Sequence, residues 1–289
     1  MAATSRGRRR TGAHRAAGAL LAAAAAFAAP PAGAQAAAAR PAVASINLCA
    51  DQLVLTVADP EQILTVSWLA ADPEESLLAE QAARYPLNYG SAEELLRYRP
   101  DVVVAGAYTG AFTRALLERL GYRVVELDPA VTVADIAANV RRVAEAVGRP
   151  DRGAALVAAL QQRVRRLEAA RPAAPVDTVI VRPGGFTVGR DSLAHELLTL
   201  AGLRNAAAEQ GLDRWGSLSV EALLRSDPEL LVMTGYRDDE PSLANAVLRH
   251  PALVAAARER AVVTVPAAYW SCGLPQSLDA VDLLRRGLP

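Results

Sequence analysis

Residues Ser91 to Tyr108 read S-A-E-E-L-L-R-Y-R-P-D-V-V-V-A-G-A-Y, and residues Ser219 to Tyr236 read S-V-E-A-L-L-R-S-D-P-E-L-L-V-M-T-G-Y. Set side by side, they share Ser91/Ser219, Glu93/Glu221, Leu95/Leu223, Leu96/Leu224, Arg97/Arg225, Pro100/Pro228, Val104/Val232 and Tyr108/Tyr236. Chance would give roughly one such identity in a stretch this long, so the pair is an internal repeat. Each copy reads as a short helix, a turn made by proline and an acid, an apolar strand, and a loop ending in tyrosine. A helix–strand unit that occurs twice predicts two related α/β lobes.

The flanking sequence extends both copies in the same rhythm. Before the first lie a strand over Ala42 to Leu48, a helix over Ala50 to Ala58, and a strand from Ile63 to Ser67 that ends at Trp68. After it come a helix from Gly110 to Leu120 and a strand from Arg123 to Leu127. Around the second copy the pattern gives strands at Thr178 to Arg182, Glu229 to Thr234 and Ala261 to Val265. Helices fall at Ser192 to Ala201, Ser219 to Leu224, through Leu248, and from Gln276 onward. Short apolar runs alternating with amphipathic helices indicate mostly parallel sheets. Between the halves, Thr132 to Ala170 is almost all Ala, Val, Leu, Arg, Gln and Glu, broken only at Gly148-Arg149-Pro150. That predicts one helix and then a longer one from about Asp151 to Ala170. The expected fold class is therefore α/β, with two similar lobes joined by a long connecting helix. The ligand cleft should lie between the lobes, beyond the carboxyl ends of the strands.

All charges before Arg40 are basic: Arg6, Arg8, Arg9, Arg10 and Arg15. An apolar run from Ala16 to Ala29 and the small-residue string Ala32-Gly33-Ala34 follow. That order is the pattern of a cleavable secretory leader, residues 1–34, and the apolar run is too short for a membrane span. Residues 41–131 are then expected to form the first lobe, 132–171 the helical connector and 172–289 the second lobe. The 31 basic residues are all arginine, against 31 acids. The absence of lysine removes Schiff-base chemistry and the phosphate-cradling P-loop. Neutral net charge gives no basic face for nucleic acid.

Catalytic patterns are absent. There is no G-x-S-x-G elbow, and His195-Glu196 lacks the second histidine of a zincin. His250, next to Pro251, reads as a helix-end residue. Gly184-Gly185-Phe186-Thr187-Val188-Gly189 follows a strand without dinucleotide spacing, and reads as a loop that lets backbone approach a ligand, or as a plain turn. The few aromatics cluster where strand-end loops should line the cleft: Trp68, Tyr108, Tyr236 and Tyr269-Trp270 after strands, and Tyr89, Phe186 and Trp215 in loops. Core aromatics would instead fall inside the periodic segments.

The leader, the two lobes, the connecting helix and the repeated Glu-x-Leu-Leu-Arg-x-x-Pro-acid pattern together resemble one family. This is the iron-siderophore and cobalamin class of periplasmic substrate-binding proteins that serve ATP-driven importers. The resemblance runs from Pro41 onward and is sharpest at Glu93 to Val104, Asp191 to Asn205, and Trp215 to Glu221. It implies a single long helix bridging lobes that move little, and a metal chelate in a shallow cleft. By similarity, Tyr89, Trp215 and Trp270 match positions lining the corrinoid site of relatives, with Trp68, Tyr108 and Phe186 close to others; Tyr236 joins the expected ligand-binding set from its place after a strand. Arg182, Arg190 and Arg237 stand near the cleft. Glu93 and Glu221 match glutamates that salt-bridge to arginines on the two halves of a permease dimer. Relatives commonly carry Ser-Pro and then Thr-Glu at the first strand–helix junction, where this chain has Asn47-Leu48-Cys49-Ala50-Asp51-Gln52.

The expected protein is a monomeric periplasmic binding component that hands a chelate to an inner-membrane permease dimer. Cobalamin or another corrinoid is favoured over a ferric siderophore or haem. It carries no resident cofactor or metal and is not an enzyme. An exported α/β enzyme or a sensor on the same fold are the alternatives. The only two cysteines, Cys49 and Cys272, fall one in each lobe, and an oxidising compartment favours a disulfide between them. Two free thiols, facing the metal or buried and inert, are the other readings.

Overall fold

The structure, a computed structural model, describes residues 40–234 and 242–288. The first lobe runs β1 (Val43–Ser45), α1 (Leu48–Val57), β2 (Ile63–Ser67), α2 (Ala79–Ala82), β3 (Leu87–Asn88), α3 (Ala92–Leu96), β4 (Val102–Gly106), α4 (Ala111–Arg119) and β5 (Arg123–Leu127). Its five strands are all parallel, in the order β3-β2-β1-β4-β5. Two helices, α5 (Val133–Ala146) and α6 (Pro150–Ala169), lead to the second lobe. That lobe runs β6 (Val176–Val181), β7 (Phe186–Val188), α7 (Leu193–Ala201), β8 (Leu203–Asn205), α8 (Ala206–Glu209), β9 (Trp215–Ser217), α9 (Val220–Leu224) and β10 (Leu230–Met233). It closes with α10 (Leu243–Ala246), α11 (Pro251–Glu259), β11 (Ala261–Thr264), α12 (Ala268–Ser271) and α13 (Asp279–Arg286). Its parallel sheet has the order β11-β10-β6-β8.

The repeat explains the shared topology. β4 and β10 are its two strands, and around them β2-β1-β4-β5 matches β8-β6-β10-β11 position for position. In both sheets the chain reverses its strand order beside the first strand, between β1 and β4 and between β6 and β10. Such reversals open a crevice beyond the carboxyl ends of the strands.

Alternation along the strands sorts each lobe into layers. In β4, Val102 and Val104 face the interior shared by the lobes, while Val103 and Ala105 pack outward with Ala92, Leu95 and Leu117. In β10, Leu230 and Val232 face inward, and Leu231 packs outward with Val220, Leu223 and Leu253. The inward faces form one uninterrupted core from Val43 to Leu284, which passes through Val157, Leu160 and Leu167 on one stripe of α6.

The connector is two helices with separate allegiances. Ile136, Val140 and Val143 of α5 pack into the core beside α1, so α5 joins the first lobe by its packing. The span is α6. At its start, Arg149 and Arg152 pair with Asp59 of the first lobe, at 2.6 and 3.6 Å. Further along, Arg163 pairs with Asp282 and, at 3.3 Å, with Asp279 of α13. Each partly exposed pair contributes little alone, but together they fix α6 to both lobes.

The structure corrects several expectations. Helix α1 starts at Leu48 and not after a strand running to it, because the Asn47 side chain accepts from the Cys49 and Ala50 amides at 3.1 and 3.4 Å and caps the helix. Phe186 and Trp215, read as loop residues, lie on the antiparallel ribbon β7–β9, paired Phe186↔Ser217 and Val188↔Trp215. Tyr269 and Trp270 belong to the single turn of α12 and not to a strand-end loop. The leader, Tyr236, Arg237 and the acidic cluster Asp238-Asp239-Glu240 lie outside the described residues.

Candidate ligand-binding cleft

The crevice of the first sheet opens onto a cavity of about 400 Å³ between the lobes. From the first lobe it is lined by Asn47, Cys49, Gly106 to Tyr108 and Leu127 to Val131, all at or beyond the carboxyl ends of β1, β4 and β5 or in the first turn of α1. The second lobe contributes Asp191 to Leu193, Arg214, Trp215 and Trp270 to Gly273. Close packing shapes the floor. A Cβ on Gly106 would stand 2.6 Å from Asn47 Oδ1, so the capping side chain fits only over a glycine. Asn139 Nδ2 donates to the Asp128 carbonyl at 2.8 Å and ties the β5 loop to α5.

The aromatics form two pairs, one on each lobe. Trp68 and Tyr89 have ring centroids 6.3 Å apart, and Phe186 and Trp215 are 6.4 Å apart. Both separations fall within the range of interacting rings. All four residues are exposed, as is Tyr108, which lines the cavity. Exposed aromatic area on this scale marks an interaction surface. Trp270 departs from the expectation. It is 9% exposed and belongs to the shared core, while still lining the cavity wall. Tyr236, expected in the same set, is outside the described residues.

Asp51 was missed as a positioning residue; the sign that could have found it was an acid inside an otherwise apolar helix. Its carboxylate is fully buried, accepts from the Ser67 amide at 3.1 Å and from the Ser67 hydroxyl, and so anchors the end of β2 just before Trp68. Burial pushes its pKa from 3.8 up to about 6, outweighing the hydrogen bonds from Ser67; the Ser45 hydroxyl adds a weaker attraction without hydrogen-bond geometry. The folded chain therefore holds a proton between about pH 4 and 6 that the unfolded chain releases, and stability falls as pH rises through that window. Asp51→Asn should flatten that slope and raise stability above pH 7 by about 1–3 kcal/mol. Thermal melts from pH 4 to 8 check it, and a slope unchanged in the variant would remove the assignment.

Cys49, in the first turn of α1, and Cys272, at the end of α12, are joined by a disulfide with a Cα separation of 5.1 Å. The bond ties one lobe to the other at the floor of the cleft. Thiol titration of the denatured, unreduced protein should find none free. Cys49→Ser with Cys272→Ser should cost about 2–5 kcal/mol of stability, since the bond closes a very long loop. Two titrating thiols would eliminate the bridge.

The two histidines among the described residues are helix-end residues. His250 caps α11, accepting from the Ala252 amide at 3.3 Å. His195 sits in the first turn of α7, where burial and then Arg190 lower its pKa. Among the described residues no group of three or more His, Cys, Asp or Glu is placed to hold a metal ion, and no helix is long and apolar enough to cross a membrane.

An open cleft walled by aromatics between two parallel-sheet lobes defines a solute-binding architecture. The chain belongs to the periplasmic binding protein family, whose model matches residues 43–269 and so takes in both sheets. It is 26% identical over 208 residues to the vitamin B12-binding protein of Pectobacterium atrosepticum, covering 68% of this chain and 72% of that one. A periplasmic heme-binding protein from Roseiflexus sp. RS-1, solved in apo form, superposes with a TM-score of 0.71 at 20% identity, over 85% of this chain and 98% of that one. A periplasmic heme-binding protein in complex with two hemes superposes with a TM-score of 0.69 at 25% identity, over 86% and 97%. These are binding proteins, and the chain is one of them and not an enzyme.

Proposed function

We propose that the protein captures a flat metal chelate in the periplasm, as a monomer exported by its leader, and delivers it to the permease dimer of an ATP-driven importer. The carrying observation is the pair of exposed aromatic couples, Trp68–Tyr89 on the first lobe and Phe186–Trp215 on the second, of which Trp215 lines the cavity between the lobes. Ring faces held open to solvent suit a ligand with a broad flat face of its own. A corrinoid is the favoured ligand, supported by the likeness to a vitamin B12-binding protein over most of both chains. Haem is the second reading, supported by the heme-bound relative at 25% identity. Trp68, Tyr89, Tyr108, Phe186 and Trp215 are the proposed contacts, with Tyr236 added from sequence. Glu93 and Glu221 are the proposed docking residues. The deciding experiment is titration of the purified protein with cyanocobalamin, haemin and a ferric siderophore, read by tryptophan quenching. Micromolar or tighter binding of one supports the reading, and binding of none removes it.

A further inference from the structure

Both ends of the Cys49–Cys272 disulfide line the ligand cavity. On the first lobe, Cys49 sits in the first turn of α1, where its amide donates to the Asn47 side chain at 3.1 Å. Asn47 lines the same cavity, so the sulfur and the cap of α1 share one short piece of wall. On the second lobe, the bond grips the strip from Trp270 to Gly273, and every residue of that strip lines the cavity.

The strip has little local structure of its own. Helix α12 is a single turn of four residues, too short to be stable alone, and Cys272 beyond it has extended backbone. Within the second lobe, Ser277 Oγ donates to the Cys272 carbonyl at 3.0 Å and accepts from the Leu274 amide at 3.1 Å. Across the lobes, Gly273 fits closely against the first, since a Cβ there would come within 2.3 Å of the Ala130 methyl. The disulfide adds a covalent tie at the same seam, between residues 223 apart in the chain. The spacing of the two cavity walls at the floor therefore depends on it.

The two sulfurs are placed unequally. Cys49 is partly exposed, whereas Cys272 is 2% exposed, so Cys49 is the end open to an attacking thiolate. The first turn of α1 also favours the thiolate form of Cys49 once it is released. We propose that this disulfide is a redox latch on ligand release: the oxidised cleft holds the chelate, and reduction by a dithiol protein loosens the strip and lowers the affinity. The inference rests on the chelate-binding reading and adds a means of regulating it. One thiolate of the dithiol attacks Cys49 Sγ and breaks the S–S bond, and Cys272 leaves with the electron pair. The second thiolate attacks the dithiol's own sulfur in the mixed disulfide, closes the reductant's disulfide and expels Cys49. Two electrons pass to the cystine, and the two protons the dithiol loses end on the two cysteines.

An affinity that depends on the bond requires the ligand to oppose its reduction by the same factor. Equilibration of the full chain with reduced and oxidised thioredoxin, with and without saturating cyanocobalamin or haemin, tests this. Free thiols are counted by mass after alkylation. Ligand should raise the ratio of reduced to oxidised thioredoxin needed for half reduction by at least about fivefold. In quenching titrations, the reduced and desalted chain should bind more weakly than the oxidised chain by that factor while keeping its folded circular dichroism. The variant Cys49→Ser/Cys272→Ser should match the reduced chain. Equal affinities, or a thioredoxin ratio that ligand does not move, overturn the latch and leave the chelate reading standing. So does a cystine that thioredoxin fails to reduce, and so does a reduced chain that unfolds, which makes the bond structural alone. Binding of neither ligand by the oxidised chain defeats both.

Discussion

The double variant Glu93→Arg/Glu221→Arg is expected to bind chelate within about twofold of the natural protein and to support no uptake in cells. Both glutamates are exposed at the second position of five-residue helices, α3 and α9, in equivalent places of the repeat. Both helices are capped by serine, Ser91 accepting from the Glu94 amide at 3.3 Å and Ser219 from the Ala222 amide at 3.2 Å. The neighbouring acid Glu94 is engaged in the cap, accepting from the Tyr89 and Ser91 amides at 2.9 and 3.3 Å, which leaves Glu93 as the outward charge. At Glu221 its own backbone N–H and then the Ser219 hydroxyl hold the carboxyl below the usual range, so it is ionised at neutral pH. A favourable helix-end charge explains one such residue. A matched pair on opposite lobes suits a partner with two-fold symmetry. Both helices run back toward the amino ends of their strands, so their first turns stand at the cleft side of each lobe. Transport in cells and chelate titration of the purified variant measure the two halves of the expectation. Normal uptake would leave only the helix-end explanation.

Trp215→Ala and Trp270→Ala should fail in opposite ways. Trp215 is 67% exposed and lines the cavity between the lobes, so its loss should weaken chelate binding at least tenfold while the melting temperature holds. Trp270 is 9% exposed within the shared core, and truncating it leaves a cavity worth about 3–5 kcal/mol. Calorimetry and titration of each variant separate the cases. A destabilised Trp215→Ala protein with intact binding would make that ring a core plug.

The fold was legible because it is written twice. The paired stretches around Glu93 and Glu221 encode a strand, a helix and their order, and the strand orders of the two sheets follow from that duplication. The small ribbon β7–β9 was not legible: its strands are three residues long and lie 26 residues apart, too short for any alternation to register. Fate in three dimensions was also hidden for single aromatics. Trp215 and Trp270 both follow turn-forming residues, yet one projects from a ribbon and the other is drawn inward by the turn of α12. The bond between Cys49 and Cys272 needed the close approach of two lobes, which spacing along a chain cannot supply.

The core that runs through α6 has a consequence for how the duplicated halves depend on each other. Each lobe lays helices of its own on the inward face of its sheet, α1 and α5 in the first and α7 and α13 in the second, and one continuous core joins the two inward layers through α6. Units that once could have been interchangeable have thereby lost their autonomy. Cut apart after Ala170, each piece would expose the part of that core which the other now covers, and the whole should melt in one cooperative transition.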